Sequence, residues 1–366
     1  MLRLRRTVVF IASNLNMIDS ILEKARNGQR INKEEACLLF KSPDIIALGN
    51  TANVIRNRKQ SDSIITYIID RNINYTNICV SGCLFCAFYR KNDHPEAYLL
   101  SEKEVSDKIS DTVKQGGIQI LMQGGLHPDF GIEFYEKLLK DIKNNHLIHI
   151  HAFSPPEIVH IAKVSKLKIE EVLRQLKKAG LNTIPGGGAE ILVDRIKKKI
   201  SPNKCSAQEW LDVMETAHNM EIRSSATMMF GHVEAIEDRV DHLLKIRALQ
   251  DKTGGFTAFI PWPFQPKNTK LNRMPVSGYE YLKTLAVSRI VLDNFKNLQA
   301  SWVTQGAKIA QMALLFGAND MGSTMLEENV VKAAGVSYQM SEEDIKRLIT
   351  DLNFIPRRRN NNYELL

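Results

Sequence analysis

From about residue 62 onward, short runs rich in β-branched residues alternate with longer stretches of helical periodicity, and that alternation leaves few folds open. Eight runs read as strands: Ile73 to Ile78, Gly117 to Met122, Ile148 to Phe153, Asn182 to Pro185, Arg223 to Met229, Ala258 to Pro261, Leu298 to Val303 and Phe316 to Met321. Between them lie helix-start signals. Ser101 with Glu104 and Ser206 with Glu209 have capping-box spacing, and Ser154-Pro155-Pro156-Glu157 places proline in a first turn. From Glu170 to Ala179, Val172, Leu173 and Leu176 share one face, and Gly180 supplies a stop. Strands separated by helices pair in parallel through crossovers, so eight repeats predict an α/β architecture, a (βα)8-type barrel, with a doubly wound sheet as the lesser alternative. The pattern divides the chain into an N-terminal helical extension over 1–61, a barrel over 62–335, and a C-terminal helix and basic tail over 336–366.

Composition narrows the class. At 44% hydrophobic and 25% charged, the 366 residues are too apolar for intrinsic disorder. The longest apolar runs, such as Thr7 to Ala12, fall far short of the roughly 18–20 residues that a bilayer span needs, so no membrane partner is expected. Met1 to Arg6 followed by that run mimics a signal peptide, but the apolar stretch is short and no small-residue cleavage pattern follows, which points to a cytoplasmic protein. The net charge of +8 is spread along the chain apart from Lys197-Lys198-Lys199 and Arg357-Arg358-Arg359. Short runs of this kind read as a solvated helix face or tail, so no nucleic-acid partner is expected.

In a barrel of this type the chemistry sits at the C-terminal strand ends, and the unusual residues of this sequence collect there. After the first strand comes Cys79-Val80-Ser81-Gly82-Cys83-Leu84-Phe85-Cys86; after the second, Gln123-Gly124-Gly125-Leu126-His127; after the fourth, Gly186-Gly187-Gly188-Ala189-Glu190. Of five cysteines, three crowd into this one segment, which is a ligand pattern. Three thiolates can fix an iron-sulfur cubane and leave its fourth iron open. A structural zinc ion is the plainer reading, but it normally takes four protein ligands. Cys37 and Cys205 read as packing or surface residues.

The spacing Cys79-x3-Cys83-x2-Cys86, with aromatic Phe85 before the last cysteine, resembles the signature of the radical S-adenosylmethionine superfamily. Asn74 to Asn77, Ala87 to Arg90, Leu121 to Pro128, His149 to Ile158, Ile184 to Leu192, Met228 to Val233 and Phe259 to Thr269 extend the likeness to its futalosine-pathway branch, over about residues 60 to 340. The resemblance implies a 4Fe-4S cluster on Cys79, Cys83 and Cys86, with S-adenosylmethionine (SAM) chelated by the open iron and cleaved to a 5'-deoxyadenosyl radical. It also implies a small-molecule substrate of menaquinone biosynthesis, dehypoxanthine futalosine, whose sugar C4' would close onto its benzoate ring, and a flavodoxin- or ferredoxin-type electron donor. Aminofutalosine and deazaflavin-forming synthases share much of the pattern, and the block Ile260 to Pro266 favours the cyclase. A zinc-stabilised basic RNA-binding protein is the alternative from another class.

Each candidate has its own chemistry. Phe85, Gln123, Gly124 and Gly125 are expected beside the methionine end of the cofactor, although the superfamily commonly carries an acid where this chain has Leu126. Glu190 is expected to accept hydrogen bonds from ribose or ammonium, or else to be a helix-start carboxylate. The triple glycine is no dinucleotide fingerprint, because Ile191 stands where that motif needs glycine. Loss of a ring proton calls for a base, for which His232 ranks first, with Glu234 and His127 behind it. His149 and His151 share a strand face without an evident third metal ligand and read as polar residues inside the barrel or against substrate. Trp262, Phe264 and Trp302 read equally as an aromatic wall or as core.

Overall fold

The computed structural model describes residues 16–60 and 63–366; the leader-like stretch at Met1 to Ala12 lies outside them. Strand β1 (Ile64–Ile68) and strand β2 (Asp70–Ile73) form one bent strand, followed by β3 (Gln119–Met122) and β4 (His149–Ala152). After the short bridged segment Thr183–Ile184 come β5 (Ser224–Phe230), β6 (Phe256–Pro263), β7 (Asn297–Leu298) and β8 (Asp320–Ser323). Pairing around the barrel is parallel and closes on itself. It runs from β2 through β3 to β4, by His151 to Thr183 and Ile184 to Ser224 into β5, β6 and β7, then by Gln299 to Asp320 into β8 and back to β1. Strands such as Ile64 to Ile68 are buried on nearly every residue because helices cover the outer face while side chains fill the inside. The register Asn72–Leu121–His151–Thr183 sets these four residues at one level of the barrel.

The first strand starts at Ile64, earlier than the sequence pattern implied, and Ile73 ends it; Thr76 and Ile78 continue as isolated bridges at the mouth. The expected strand from Leu298 to Val303 stops at Leu298, because Ser301 caps a helix that begins at Trp302.

Residues 16–26 (α1), Lys33–Lys41 (α2) and Ile45–Lys59 (α3) make up the described N-terminal helices. The outer ring contains α4 (Glu102–Lys114), α5 (Ile132–Asn145), α6 (Pro155–Ser165), α7 (Ile169–Ala179), α8 (Asp194–Ile200), α9 (Ala207–Asn219), α10 (Ile236–Thr253), α11 (Gly278–Val291) and α12 (Trp302–Ala313). Helix α7 buries Val172, Leu173, Leu176 and Ala179, each large side chain contributing roughly 1.5–3 kcal/mol, and ends at Gly180, whose φ of 123° favours glycine. Capping boxes at Ser101 and Ser206 start α4 and α9 as the sequence predicts. Helix α3 packs on α11, with Gly49 against the Phe316 ring. No helix among the described residues is long and apolar enough to cross a membrane.

The C-terminal segment departs from a solvated tail. After α13 (Val330–Ala333) and α14 (Glu342–Thr350), strand β9 (Ile355–Arg358) pairs in parallel with β1 at the N-terminal end of the barrel. Arg358 donates to Glu342 at 2.7 Å, Arg359 is 4% exposed, and Asn361 is buried. The barrel floor is polar, and these side chains satisfy it. Lys197 leaves its run in the same way, buried against Glu190, whereas Lys198 and Lys199 face solvent.

Candidate functional site

The loop between β2 and α4 carries the three thiols. Ser81 Oγ lies 3.1 Å from Cys79 Sγ and 3.2 Å from Cys83 Sγ, so one hydroxyl bridges two sulfurs. Gly82, at φ 60°, turns the chain between them where an added Cβ would meet nothing. Arg90 shapes the far side, its Nη1 donating to the carbonyls of Ala87, Phe88 and Tyr89. The backbone amides of Tyr89 and Phe88 face the Cys86 sulfur. Burial pushes the Cys83 and Cys86 thiols up, against the nearby positive charge of Lys204.

Lys204 is the functional residue that sequence reasoning missed, since nothing marks a single lysine before a helix cap. Its ammonium stands 5.1 Å from the Phe85 ring centre and 3.0 Å from Glu190, which also receives Lys197 at 3.3 Å. Burial opposes the charge on Lys204, but Cys83 and Glu190 hold it positive. Burial would likewise raise the Glu190 carboxyl, and the two lysines outweigh that and lower it. Glu190 is therefore committed to two protein cations, and what it offers this mouth is the placement of Lys204 beside the cysteines.

Gln123, Gly124 and Gly125 follow β3, and the turn packs against the start of the cysteine loop. A Cβ on Gly124 would lie 2.4 Å from the Tyr75 ring, and one on Gly125 would lie 2.1 Å from the Ile78 carbonyl oxygen and 2.9 Å from Cys79 Cβ. The Gly124 amide donates to Glu157, a buried carboxylate that also accepts from Tyr75 and Ser154. The glycines thus let the loop lie flat on the strand end, and Glu157 places a carboxylate on the glycine pair from α6 although Leu126 replaces the expected acid.

The thiols, Phe85 and the glycine turn come together; the three base candidates do not join them. His232 is buried, its Nε2 bonds the Met229 carbonyl at 3.0 Å, and its Nδ1 accepts from Val233 at 2.8 Å. Glu234 accepts from the Gly231 and His232 amides and from Arg239, which closes the turn. Burial lowers His232 despite Glu234 beside it. His127 stacks on Phe130 with ring centres 3.6 Å apart, and burial lowers it too. None of the three lines the barrel cavity. Local turn geometry engages both ring nitrogens of His232 and the Glu234 carboxylate, whereas the only side-chain bond of His127 among the described residues is the one its Nδ1 accepts from Asp129.

The cavity itself occupies the barrel interior, about 270 Å³ lined by amide and hydroxyl side chains such as Asn72, Gln119, Gln123, Thr227 and Gln299. Trp262 and Trp302 also line it. A smaller space of about 50 Å³ between Phe85, Cys86 and Phe264 shares Trp262, Val330 and Val331 with it as lining. His151 lines the main cavity, as do Asp70, Glu328 and the C-terminal residues Arg359, Asn361 and Tyr363.

Among the described residues no group of three or more His, Cys, Asp or Glu side chains is arranged to hold a single metal ion. The three free thiols nonetheless surround one mouth, each with its own polar neighbours, and the Lys204 charge opposes the upward push that burial gives Cys83 and Cys86. That donor set suits a larger inorganic core with one sulfur per corner and one corner left open.

Residues 73–246 match the family described as the radical SAM superfamily, and residues 253–366 match the CofH/MqnC C-terminal region. The chain is 43% identical to a cyclic dehypoxanthine futalosine synthase of Halalkalibacterium halodurans over 95% of either chain. It is 42% identical to one of Streptomyces coelicolor, over 95% of this chain and 89% of that one. A 5-amino-6-(D-ribitylamino)uracil–L-tyrosine 4-hydroxyphenyl transferase of Archaeoglobus fulgidus is 43% identical over 86% of this chain and 92% of its own. The FeFe-hydrogenase maturase HydG from Carboxydothermus hydrogenoformans, at 17% identity, superposes with a TM-score of 0.74 over 98% of this chain and 84% of that one. Methylornithine synthase, at 16% identity, superposes with a TM-score of 0.71 over 92% and 97%. These two structures show the shared fold.

Proposed function

Because the chain belongs to the radical SAM superfamily, in the branch that carries the CofH/MqnC C-terminal region, we propose that it is a cyclic dehypoxanthine futalosine synthase of menaquinone biosynthesis. The observation that carries this reading is the likeness to two such synthases over 95% of the chain, barrel and C-terminal region together. The cavity supports it: neutral amides and hydroxyls suit sugar hydroxyl groups, and Trp262 suits a benzoate ring.

Cys79, Cys83 and Cys86 would hold a 4Fe-4S cluster, with Phe85 and the turn at Gln123, Gly124 and Gly125 beside the methionine end of SAM. When bound, these groups would supply one electron, drawn from a flavodoxin- or ferredoxin-type donor, and the 5'-deoxyadenosyl radical chemistry that would take the sugar C4' hydrogen. Lys204 keeps a positive charge near Cys83 and Cys86, which offsets part of the upward push that burial gives their thiols. The barrel wall and the covering α13 shield a reactive carbon from water and from other hydrogen donors. The substrate radical closes onto the benzoate ring, and the ring then gives up a proton.

The transferase reading stays second, carried by the Archaeoglobus relative at equal identity. Reconstituted protein given SAM, reductant and dehypoxanthine futalosine should yield deoxyadenosine and a cyclised product. Turnover with tyrosine and the aminouracil in place of dehypoxanthine futalosine would decide for the transferase.

A further inference from the structure

We propose that His151, Thr183 and His149 form a proton exit path, with His151 Nε2 taking the ring proton from substrate in the barrel cavity. The proposal rests on the cyclase reading above and identifies the base that reading requires.

Both histidines project inward from β4, two residues apart, and both reach one hydroxyl. His151 Nδ1 and His149 Nε2 each lie 2.8 Å from Thr183 Oγ1. Asn361 Nδ2, from the C-terminal segment, donates to the same oxygen at 2.7 Å. A hydroxyl that accepts from an amide has one further lone pair and one proton, so one histidine donates to it and the other accepts. The proposed path takes His151 Nδ1 as the donor of the two. Thr183 then donates to His149 Nε2.

This assignment leaves His151 Nε2 as a bare acceptor. It has no protein partner among the described residues, it is not one of the sealed unsatisfied atoms of the interior, and its residue lines the cavity. Burial, helped by His149 and Arg359, lowers His151 to about 3, so the ring is neutral near pH 7. His149, half-buried at the N-terminal end of its strand, is lowered to about 4 and is neutral as well, so it can receive the proton that Thr183 passes on. The other candidate acids and bases in the cavity are already engaged: Asp70 by Gln119 and Ser323, and Glu328 by Asn72 and two amides.

The step balances. The C4' radical forms the carbon–carbon bond, and the resulting ring radical loses one proton and one electron to regain aromaticity. The proton goes to His151 Nε2 while the Nδ1 proton passes to Thr183 and the Thr183 proton to His149. The electron returns to the one-electron carrier that supplied it, so the reductant is not consumed.

The test uses the reconstituted full chain with C4'-deuterated substrate. His151→Gln should still move deuterium into deoxyadenosine while cyclic product falls about 100-fold, the range that general bases contribute. Thr183→Val should lower product about 10-fold and Thr183→Ser should restore it, with added imidazole partly rescuing His151→Gly. Cyclic product from His151→Gln within threefold of the parent would overturn the proposal, and so would loss of deuterium transfer, which marks a binding role. A parent protein inert toward this substrate sinks the cyclase reading instead. The path is then still judged by imidazole nitrogen resonances of the protein without substrate, where Nε2-protonated His151 would refute it.

Discussion

Arg359 and Asp320 meet fork to fork in the barrel floor, Nε to Oδ2 at 2.6 Å and Nη2 to Oδ1 at 2.9 Å, with both side chains at most 4% exposed. The pair ties the C-terminal segment to β8, and Asp320 also accepts from Thr66 and Gly322. Removing one buried partner leaves the other charge uncompensated, a loss of about 3–5 kcal/mol. Arg359→Met should therefore lower the denaturation midpoint strongly. Adding Asp320→Asn should recover part of the loss, because asparagine still accepts from Thr66 without carrying the stranded charge. A double variant no more stable than Arg359→Met alone would refute this account.

Alanine at Cys79, Cys83 or Cys86 should abolish bound iron and the visible absorbance of the reconstituted protein, since each thiolate holds one corner of the cluster. Cys37→Ala and Cys205→Ala should keep both. Cys205 is 7% exposed and burial pushes its thiol up to about 11, as befits a packed residue. Iron content per chain is the measurement, and a Cys205 variant without iron beside a Cys79 variant with it would reverse the assignment.

The barrel was legible in the sequence because each strand and helix announces itself over a few adjacent residues: Ile148 to Phe153 by its β-branched run, α7 by its apolar face and Gly180. The cysteine loop was legible for the same reason. What escaped notice depends on pairings across the chain. Arg359 lies among three arginines, and only its contact with Asp320, together with the reach of Asn361 to Thr183, turns a basic tail into a barrel floor. His232 looked free because strand-end histidines often face substrate; its bonds to Met229 and Val233 come from the local turn, which the sequence does not display.

Gly125 and Glu190 are separable by experiment. Gly125→Ala would drive its Cβ to 2.1 Å from the Ile78 carbonyl, next to Cys79, so the cysteine loop must shift. That variant should lose iron as well as SAM binding. Glu190→Gln should keep iron near the parent level and weaken SAM binding by about tenfold, because Lys204 loses the anion that fixes it, a loss of about 1.4 kcal/mol. Metal analysis together with calorimetric titration of SAM distinguishes the two, and equal iron in both variants would show that the loop tolerates the added methyl group.

His218 gives a pH test of the core that is independent of catalysis. Its Nδ1 lies 2.7 Å from Thr253 Oγ1 and its Nε2 lies 2.8 Å from Ser224 Oγ, so the neutral ring joins α9, the end of α10 and β5. Burial, opposed only by Glu215, lowers it from 6.5 to about 4. A depressed histidine binds its proton more readily in the unfolded chain, so its contribution is complete above pH 6.5 and drains away as pH falls toward 4. At pH 5 about 1.5 pH units of that window have been crossed, a loss of about 2 kcal/mol relative to pH 7.5. Urea unfolding of the parent and of His218→Gln at both pH values isolates this share from every other titrating group. The parent's advantage should shrink by about that amount at pH 5, and an advantage that stays constant would mean that His218 titrates alike in the folded and unfolded chains.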